Sequence, residues 1–135
     1  MHVIFHAEDE RESFFGLPQI WDNTLKNFGY KQEDYSFHDH TKKQDYKNDP
    51  NLITSTEHFQ GTPVYLSVED GVDLKDFEHP EDAVYIFGRD GGMINGKERD
   101  KIPEGALKVH IKGAGPLWAI QACAIVLYDR KTKLK

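Results

Sequence analysis

The sequence has a single cysteine and lacks any long apolar run. One cysteine, Cys123, excludes a disulfide within the chain and a cysteine-rich zinc site. No stretch approaches the length of a membrane span, and the first residues lack the basic-then-apolar order of a secretory signal. We therefore expect a cytoplasmic protein that does not enter a membrane.

The chain also lacks an excess of positive charge. It has 23 acidic residues against 17 lysines and arginines, a formal net charge of −6. This balance argues against a protein that holds nucleic acid by its overall charge. If the partner is RNA, a local basic patch or a second protein must supply the attraction. Residues 41–51 include three lysines and form the best such patch in the first half, although they are most simply a solvated loop.

Internal repeats and long linkers are absent as well. A chain of 135 residues has the size of one domain and buries about two thirds of its unfolded surface. We therefore treat residues 1–135 as a single domain with one core.

The strongest pattern lies in the last third of the chain. Ala83–Phe87 is a run of five apolar residues that stops at Gly88, which is typical of a strand covered on both faces. Residues 107–111 form a second short run, and the glycine-containing turn 112–116 follows it. Residues 117–128 are apolar nearly all round, which predicts a helix buried on most sides.

The earlier part of the chain alternates between strand and helix patterns. Apolar residues at helical spacing predict a helix over residues 18–28, and residues 74–77 predict a short helical turn. Short runs rich in β-branched and aromatic residues predict further strands over residues 2–6, 35–39 and 63–68. Strands separated by helix-sized intervals predict an α/β fold with a mostly parallel sheet.

Two segments of the sequence, from His79 to Gly88 and from Pro116 to Arg130, resemble the second and third motifs of the SpoU-type methyltransferases, which belong to the SPOUT class. The resemblance extends over about 55 residues, from Leu74 to Arg130, and the two motifs follow each other in the family's order and spacing. It implies helices flanking the sheet, a short strand and threonine-rich turn over residues 52–56, a carboxyl-terminal trefoil knot and a homodimer. It also implies S-adenosylmethionine as cofactor, and 2′-O-ribose methylation of transfer or ribosomal RNA as the reaction.

Ligands of open α/β sheets collect outside the carboxyl ends of the strands. In the family, loops at this edge hold the cofactor largely through main-chain groups, and a glycine lets the backbone approach the ligand. The resemblance therefore implies cofactor-binding roles for Thr54, Ser55, Thr56, Phe87, Gly88, Ile111 and Leu117. The alternative is that Gly88 and the glycines after it simply make a tight turn.

The chain departs from the family motifs at the residues that act on the RNA. Leu17 and Asn23 stand where the first motif has an Asn and an Arg, and Pro116-Leu117-Trp118 replaces Ser-Leu-Asn. Asn23 cannot supply the charge of a guanidinium. Asp90 stands where the second motif has Glu, and Arg89 or Arg11 could replace the missing cation.

The predicted catalytic residues are accordingly Asp90, Arg89 and Asn23. The same departures favour an alternative, a degenerate SPOUT-like protein that binds cofactor or a partner without methyl transfer.

A third hypothesis is an unrelated α/β protein that binds a nucleotide or a metal. His38 and His40 would share one face of a strand, and His6 or His58 could add a ligand. No recognised metal motif is completed, so we interpret these as ordinary surface or loop histidines and predict no metal site. Cys123, among apolar neighbours, is interpreted as inert packing.

The family dimer is formed largely by the first and last helices. Here those helices carry large apolar residues, and we expect Trp21, Leu25, Trp118 or Tyr128 to be exposed in a monomer and to favour association.

Overall fold

The computed structural model describes residues 1–7, 17–39, 49–53, 60–67, 70–88, 103, 105–115 and 117–134. Within them lie two α-helices, α1 (Pro18–Asn27) and α2 (Ala119–Lys133), and two 3₁₀ turns, Gln32–Asp34 and Leu74–Asp76. The strands are β1 (His2–Ala7), β2 (Tyr35–Asp39), β3 (Leu52–Ile53), β4 (Thr62–Leu66), β5 (Val72–Asp73), β6 (Ala83–Phe87) and β7 (Leu107–His110).

The seven strands form one sheet in the order β3-β2-β1-β6-β4-β7-β5. Every pairing between them is parallel, so the prediction of a mostly parallel α/β sheet is confirmed. Because the strands all run in one direction, their carboxyl ends meet at one edge. We call this the carboxyl edge, and the opposite one the amino edge.

Strand β6 lies in the middle of the sheet, between β1 and β4. All five of its residues are buried, which confirms the interpretation of its apolar run. Side chains of a strand alternate between the two faces, so a strand with no polar residue is covered on both. The centre of the fold is therefore a strand of five consecutive apolar residues.

Both helices pack on the same face of the sheet. Val3 and Phe5 of β1 and Tyr85 of β6 share one core with Trp21 and Cys123 from the two helices. The Trp21 ring stacks on Phe5, with 4.3 Å between centroids. Burying a large aromatic side chain contributes about 2–3 kcal/mol, so this contact is a main attachment of α1 to the sheet.

The burial of α1 corrects one prediction. Trp21 and Leu25, expected to be exposed and available to a partner, are each 0% exposed. They are four residues apart and so lie on the same side of the helix, the side that faces the sheet. The apolar side of α1 is thus fully used within the monomer.

Helix α2 begins later and ends later than predicted. Its residues Ile120, Cys123 and Leu127 are buried, whereas Ile125 and Tyr128 are 41% and 63% exposed. The prediction of a helix buried on most sides is therefore wrong for this exposed side. In the described part of the chain, neither helix has the length and apolarity needed to cross a membrane.

The carboxyl end of α2 is fixed by hydrogen bonds to the segment between β5 and β6. Asp129 contacts His79, at 2.6 Å between Oδ2 and Nε2. Arg130 donates to the carbonyl oxygens of Pro80 and Glu81, and Lys133 donates to those of Leu74 and Phe77. These contacts extend the helix beyond residue 128, because they add tertiary stability to its last turn.

Strand β5 was not predicted. It has only two residues, which is too short for a periodic pattern, and it pairs with β7 through Val72 and Asp73. Gly71, just before it, has φ of 117° and lies against β7, where an added Cβ would be 2.6 Å from the Lys108 carbonyl oxygen. Only glycine fits there.

Candidate functional site at the carboxyl edge

Three neighbouring strands bring candidate residues together at the carboxyl edge. The strand order places β4 between β6 and β7, and the chain leaves these strands at Gly88, Ser67 and Ile111. Adjacent strands are about 4.8 Å apart, so the three exits lie within roughly 10 Å. The loops that follow these three strands therefore begin side by side at the carboxyl edge.

Phe87 and Gly88 contribute backbone to this edge. The Phe87 side chain is 1% exposed, and its ring lies 5.9 Å from that of Trp21 in the core. A ligand can therefore meet Phe87 only through its main chain. The next residue, Gly88, is half-buried. Because it has no side chain, a ligand can approach its peptide groups closely.

Residues 111–117 form the second wall. The amide of Ala114 donates to the Ile111 carbonyl oxygen at 3.5 Å, and Gly113 has φ of 90°, so the chain turns sharply. Ile111 and Leu117 are half-buried, while residues 112–115 are exposed. The turn thus offers unshielded main-chain groups between two partly covered apolar side chains.

Helix α2 begins directly after this turn. Trp118 is the N-cap residue of this helix, and its amide donates a hydrogen bond to Oε1 of Gln121 at 3.0 Å. A side-chain cap of this kind satisfies a backbone group that the helix itself leaves unpaired. The cap fixes the direction in which α2 leaves the turn, and with it the place of Leu117.

Ser67 is a candidate that the sequence analysis missed. It follows β4, and its amide donates to the Val109 carbonyl oxygen at 2.8 Å. Its hydroxyl donates to Asp70 Oδ1 at 3.0 Å. The end of β4 therefore forms the middle of the site, between Gly88 and Ile111. A hydroxyl residue closing a β-branched and aromatic run was the signal available in the sequence.

The predicted third loop, Thr54, Ser55 and Thr56, lies outside the described residues. Strand β3, which precedes it, is at the far side of the sheet, three positions from β6. The described part of the chain thus places β4, rather than β3, beside β6 and β7. Roles for Thr54, Ser55 and Thr56 stay predictions.

Of the predicted catalytic residues, Arg89 and Asp90 lie outside the described residues, directly after Gly88. Asn23 is exposed on α1, and its Oδ1 accepts a hydrogen bond from Asn27 Nδ2 at 3.1 Å. It lies two residues from both Trp21 and Leu25, so it points away from the sheet. Asn23 is therefore on the outer side of α1, and its catalytic role stays a prediction.

The histidines of the metal hypothesis behave differently from the prediction. His6 and His38 pair across β1 and β2, with ring centroids 5.3 Å apart. Both are buried, so the interpretation of His38 as a surface histidine is wrong. His40 and His58 lie outside the described residues. Among the residues that the structure describes, no group of three side chains could hold a metal ion.

Cys123 is buried in the core at 0% exposure. Burial raises the pKa of its thiol, so the nucleophilic thiolate is disfavoured. The interpretation as inert packing agrees with this environment.

The sequence matches no protein-family model and no curated protein. Solved structures do match the fold. One is described as an RNA methyltransferase of the TrmH family from Porphyromonas gingivalis, at 17% identity and a TM-score of 0.65. Another is the SpoU methyltransferase AviRb from Streptomyces viridochromogenes, in complex with AdoMet, at 14% identity and a TM-score of 0.69. The chain has the SpoU/TrmH fold.

The match spans 95% and 99% of this chain and 58% and 60% of those two proteins. This chain thus corresponds to about three fifths of their length. A third structure, solved for insight into the 2-OH methylation of C/U34 on tRNA, matches at 17% identity and a TM-score of 0.58. There the match spans 98% of this chain and 89% of that protein. The resemblance predicted from the sequence is thereby confirmed at the level of the fold.

Proposed function

We propose that this chain is an S-adenosylmethionine-dependent RNA methyltransferase that methylates a ribose 2′-hydroxyl of transfer or ribosomal RNA. Two relatives in fold support the proposal, one in complex with AdoMet and one concerned with 2-OH methylation on tRNA. The SpoU-like motifs of the sequence support it independently, since they fall on β6 and α2, which frame the candidate site.

One observation carries the proposal. The main chain at Gly88, Ser67 and Ile111–Leu117 lies at adjacent strand ends, at the position where parallel sheets bind nucleotides. Exposed peptide groups in the turn can pair with the edge of an adenine, and half-buried Ile111 and Leu117 can cover a flat ring. This donor set, mostly backbone with apolar flanks, fits S-adenosylmethionine.

When bound, S-adenosylmethionine supplies a methyl group on a positively charged sulfur. The protein's task is then alignment: the attacking oxygen must lie behind the methyl carbon, with water excluded. The half-buried Gly88 and Leu117 contribute to that exclusion. Asp90, Arg89 and Asn23 stay our predictions for the groups that orient the ribose hydroxyl and the neighbouring phosphate.

The knotted carboxyl end and the homodimer belong to the same proposal. The exposed side of α2, with Ile125 and Tyr128, supplies apolar surface that a second copy would cover. In the proposed dimer this helix packs against its counterpart, close to the turn that precedes it.

Calorimetric titration tests the cofactor first. We expect wild type to bind S-adenosylmethionine, and Gly88→Val to lose at least about tenfold in affinity, because a branched side chain fills the approach to the backbone. Gly29→Ala is the control. It lies after α1, at the amino edge, where an added Cβ meets nothing within 4 Å, and its affinity should equal that of wild type. No binding to wild type would contradict the proposal.

The transfer step needs a second assay. Tritium-labelled methyl from S-adenosylmethionine should appear in tRNA or rRNA, and nuclease digestion should yield a 2′-O-methylated nucleoside. A label on a base would contradict ribose methylation while leaving cofactor binding intact.

One observation favours the alternative, cofactor binding without transfer. Leu17 and Asn23 stand where the first motif has an Asn and an Arg, so the chain departs from the family at residues that act on the RNA. The hydrogen bonds of Arg130 to Pro80 and Glu81 hold that arginine at the amino edge. It cannot replace the cation of the first motif at the opposite edge. Binding by calorimetry with no label in any RNA would establish this alternative.

A further inference from the structure

A concave site lies at the amino edge, apart from the candidate site at the carboxyl edge. It is a cavity of about 380 Å³ between the end of α1 and the last turns of α2. Phe28 and Tyr30 line it from one side and Glu81 from another. Glu81 precedes β6 and Gly88 follows it, so the length of that strand, roughly 16 Å, separates the cavity from the candidate cofactor site. Cavities of this volume are large enough for a small ligand.

One part of the cavity is apolar. Phe28, Leu127 and Leu134 line it, and Leu134 is 45% exposed. The aromatic ring of Tyr30 extends this surface. The hydroxyl of Tyr30 is protonated at neutral pH and can donate a hydrogen bond, and burial raises its pKa further, to about 12. Such walls favour a flat apolar body with an acceptor at its rim.

The other part is cationic, and its main group is held in place. The Arg130 guanidinium donates to the Pro80 and Glu81 carbonyl oxygens and to the Tyr85 hydroxyl, at 2.7, 2.9 and 3.0 Å. A guanidinium has about five N–H groups, so about two stay available. Because these three bonds already fix its plane, little entropy is lost when a ligand uses the rest.

Lys131 adds a second charge to the lining, and it is exposed. Among the lining residues the acid is Glu81. Its main-chain carbonyl oxygen accepts a hydrogen bond from Arg130. Two cations against one acid leave the lining with a net positive charge. An anion is therefore favoured at the α2 side, although the protein as a whole is acidic.

We propose that this cavity binds a ligand that joins a flat aromatic ring to an anionic group, the chemistry of a nucleotide. The ring lies against Phe28, Tyr30 and Leu134, and the phosphate lies at Arg130 and Lys131. Inorganic phosphate alone would leave the apolar part uncovered, and a neutral ring would leave the cations without a partner. The source is either a free nucleotide or a nucleotide within an RNA strand.

Titration followed by ¹H–¹⁵N NMR tests the proposal, with phenyl phosphate as the minimal probe. We expect saturable shifts at the amides of Tyr30, Leu127, Lys131 and Leu134, with affinity at least about tenfold above that for inorganic phosphate. Uridine monophosphate and a short oligouridylate then distinguish the sources. Equal affinities indicate a free nucleotide, and a tighter oligouridylate indicates an RNA strand.

Matched variants separate the cavity from general charge attraction. Lys131→Glu should weaken phenyl phosphate binding at least about tenfold, and Lys75→Glu, the same change at an exposed lysine outside the lining, should leave it within about twofold. Two results would overturn the proposal: no saturable shifts at these amides, or equal effects of the two variants. Neither result would contradict the proposed cofactor site, because binding of S-adenosylmethionine is measured by the shifts of the Gly88 and Ile111 amides.

Discussion

The imidazole of His79 lies 2.6 Å from the carboxylate of Asp129, fifty residues further along the chain. The other ring nitrogen of His79, Nδ1, lies 2.6 Å from the Tyr85 hydroxyl. The oxygen of that hydroxyl accepts a hydrogen bond from Arg130 at 3.0 Å. The hydroxyl hydrogen is then directed to Nδ1, and Nε2–H to Asp129. One neutral tautomer satisfies every group in this row, and it connects β6 to the end of α2.

Removing the ring should therefore destabilise the fold. We expect His79→Leu to lower the free energy of unfolding by about 2–3 kcal/mol, because it removes one hydrogen bond from the Asp129 carboxylate and leaves the Tyr85 hydroxyl hydrogen without an acceptor. Lys133 and Arg130 remain as the other partners of these two groups. Glu78→Gln, at the exposed neighbouring residue, should change it by less than about 0.5 kcal/mol. Urea denaturation measures both, and equal stability of the two variants would contradict the role given to this row.

The stability of the fold should fall in mild acid. Burial lowers the pKa of His2 to about 4, and burial also lowers the pKa of His79, against the opposing effect of Asp129. Between the ordinary histidine value of 6.5 and the lowered value, the unfolded chain binds more protons than the folded one. The free energy of unfolding therefore rises with pH in this window.

Denaturation at several pH values between 4 and 7 tests this linkage. Because other groups also titrate, the informative quantity is the difference between wild type and His2→Gln, which can keep a hydrogen bond to Ser36. The variant should show a shallower loss of stability in acid. An unchanged slope would show that His2 does not contribute.

Glycine at position 71 should be required for the pairing of β5 with β7. Gly71→Ala should cost about 3 kcal/mol, since it combines an unfavourable φ with contact against the Lys108 carbonyl oxygen. Gly105→Ala is a matched control, because Gly105 has φ of 83° but nothing within 4 Å of an added Cβ. It should cost only about 1 kcal/mol. Thermal unfolding of the two variants gives the comparison, and similar costs would contradict the steric argument.

The exposed side of α2 should control self-association. Tyr128→Asp should convert the proposed homodimer into a monomer, because it places a charge in an apolar contact. Sedimentation equilibrium measures the mass. Gln32→Glu, at a polar exposed residue outside α2, tests whether any added charge has this effect. A monomeric wild type would contradict the dimer proposal.

Binding of S-adenosylmethionine should shift the amide of Ser67. Its strand lies between those of Gly88 and Ile111, so all three amides should respond together in an NMR titration. Ile53, at the end of β3, should shift far less, because three positions of the sheet separate β3 from β6. A large response at Ile53 with none at Ser67 would place the pocket nearer β3.

Much of this fold was predictable where local patterns are strong. The five apolar residues of β6 and the helical spacing around Trp21 gave the correct elements, since each pattern reflects burial on a known period. Local sequence patterns do not determine the order of the strands in the sheet. The predicted set of loops therefore could not include Ser67, whose place between Gly88 and Ile111 depends on strand order, and the roles of Thr54–Thr56 stay predictions.

The sequence was also silent on what each apolar face contacts. Trp21 and Tyr128 are both large aromatics on helices, yet one is stacked in the core and the other is 63% exposed. Spacing identifies an apolar face but does not say whether the sheet or a partner covers it. The His79–Asp129 contact was unpredictable for a related reason, because the two residues are far apart in sequence.

The central position of β6 has a consequence for biosynthesis. Its neighbours β1 and β4 are made first, and the gap between them stays open until residue 87 has left the ribosome. Every parallel pairing joins distant segments, so loop closure must precede any gain from contact. A nascent chain paused before β6 therefore exposes unpaired strand edges, which are the surfaces that chaperones protect.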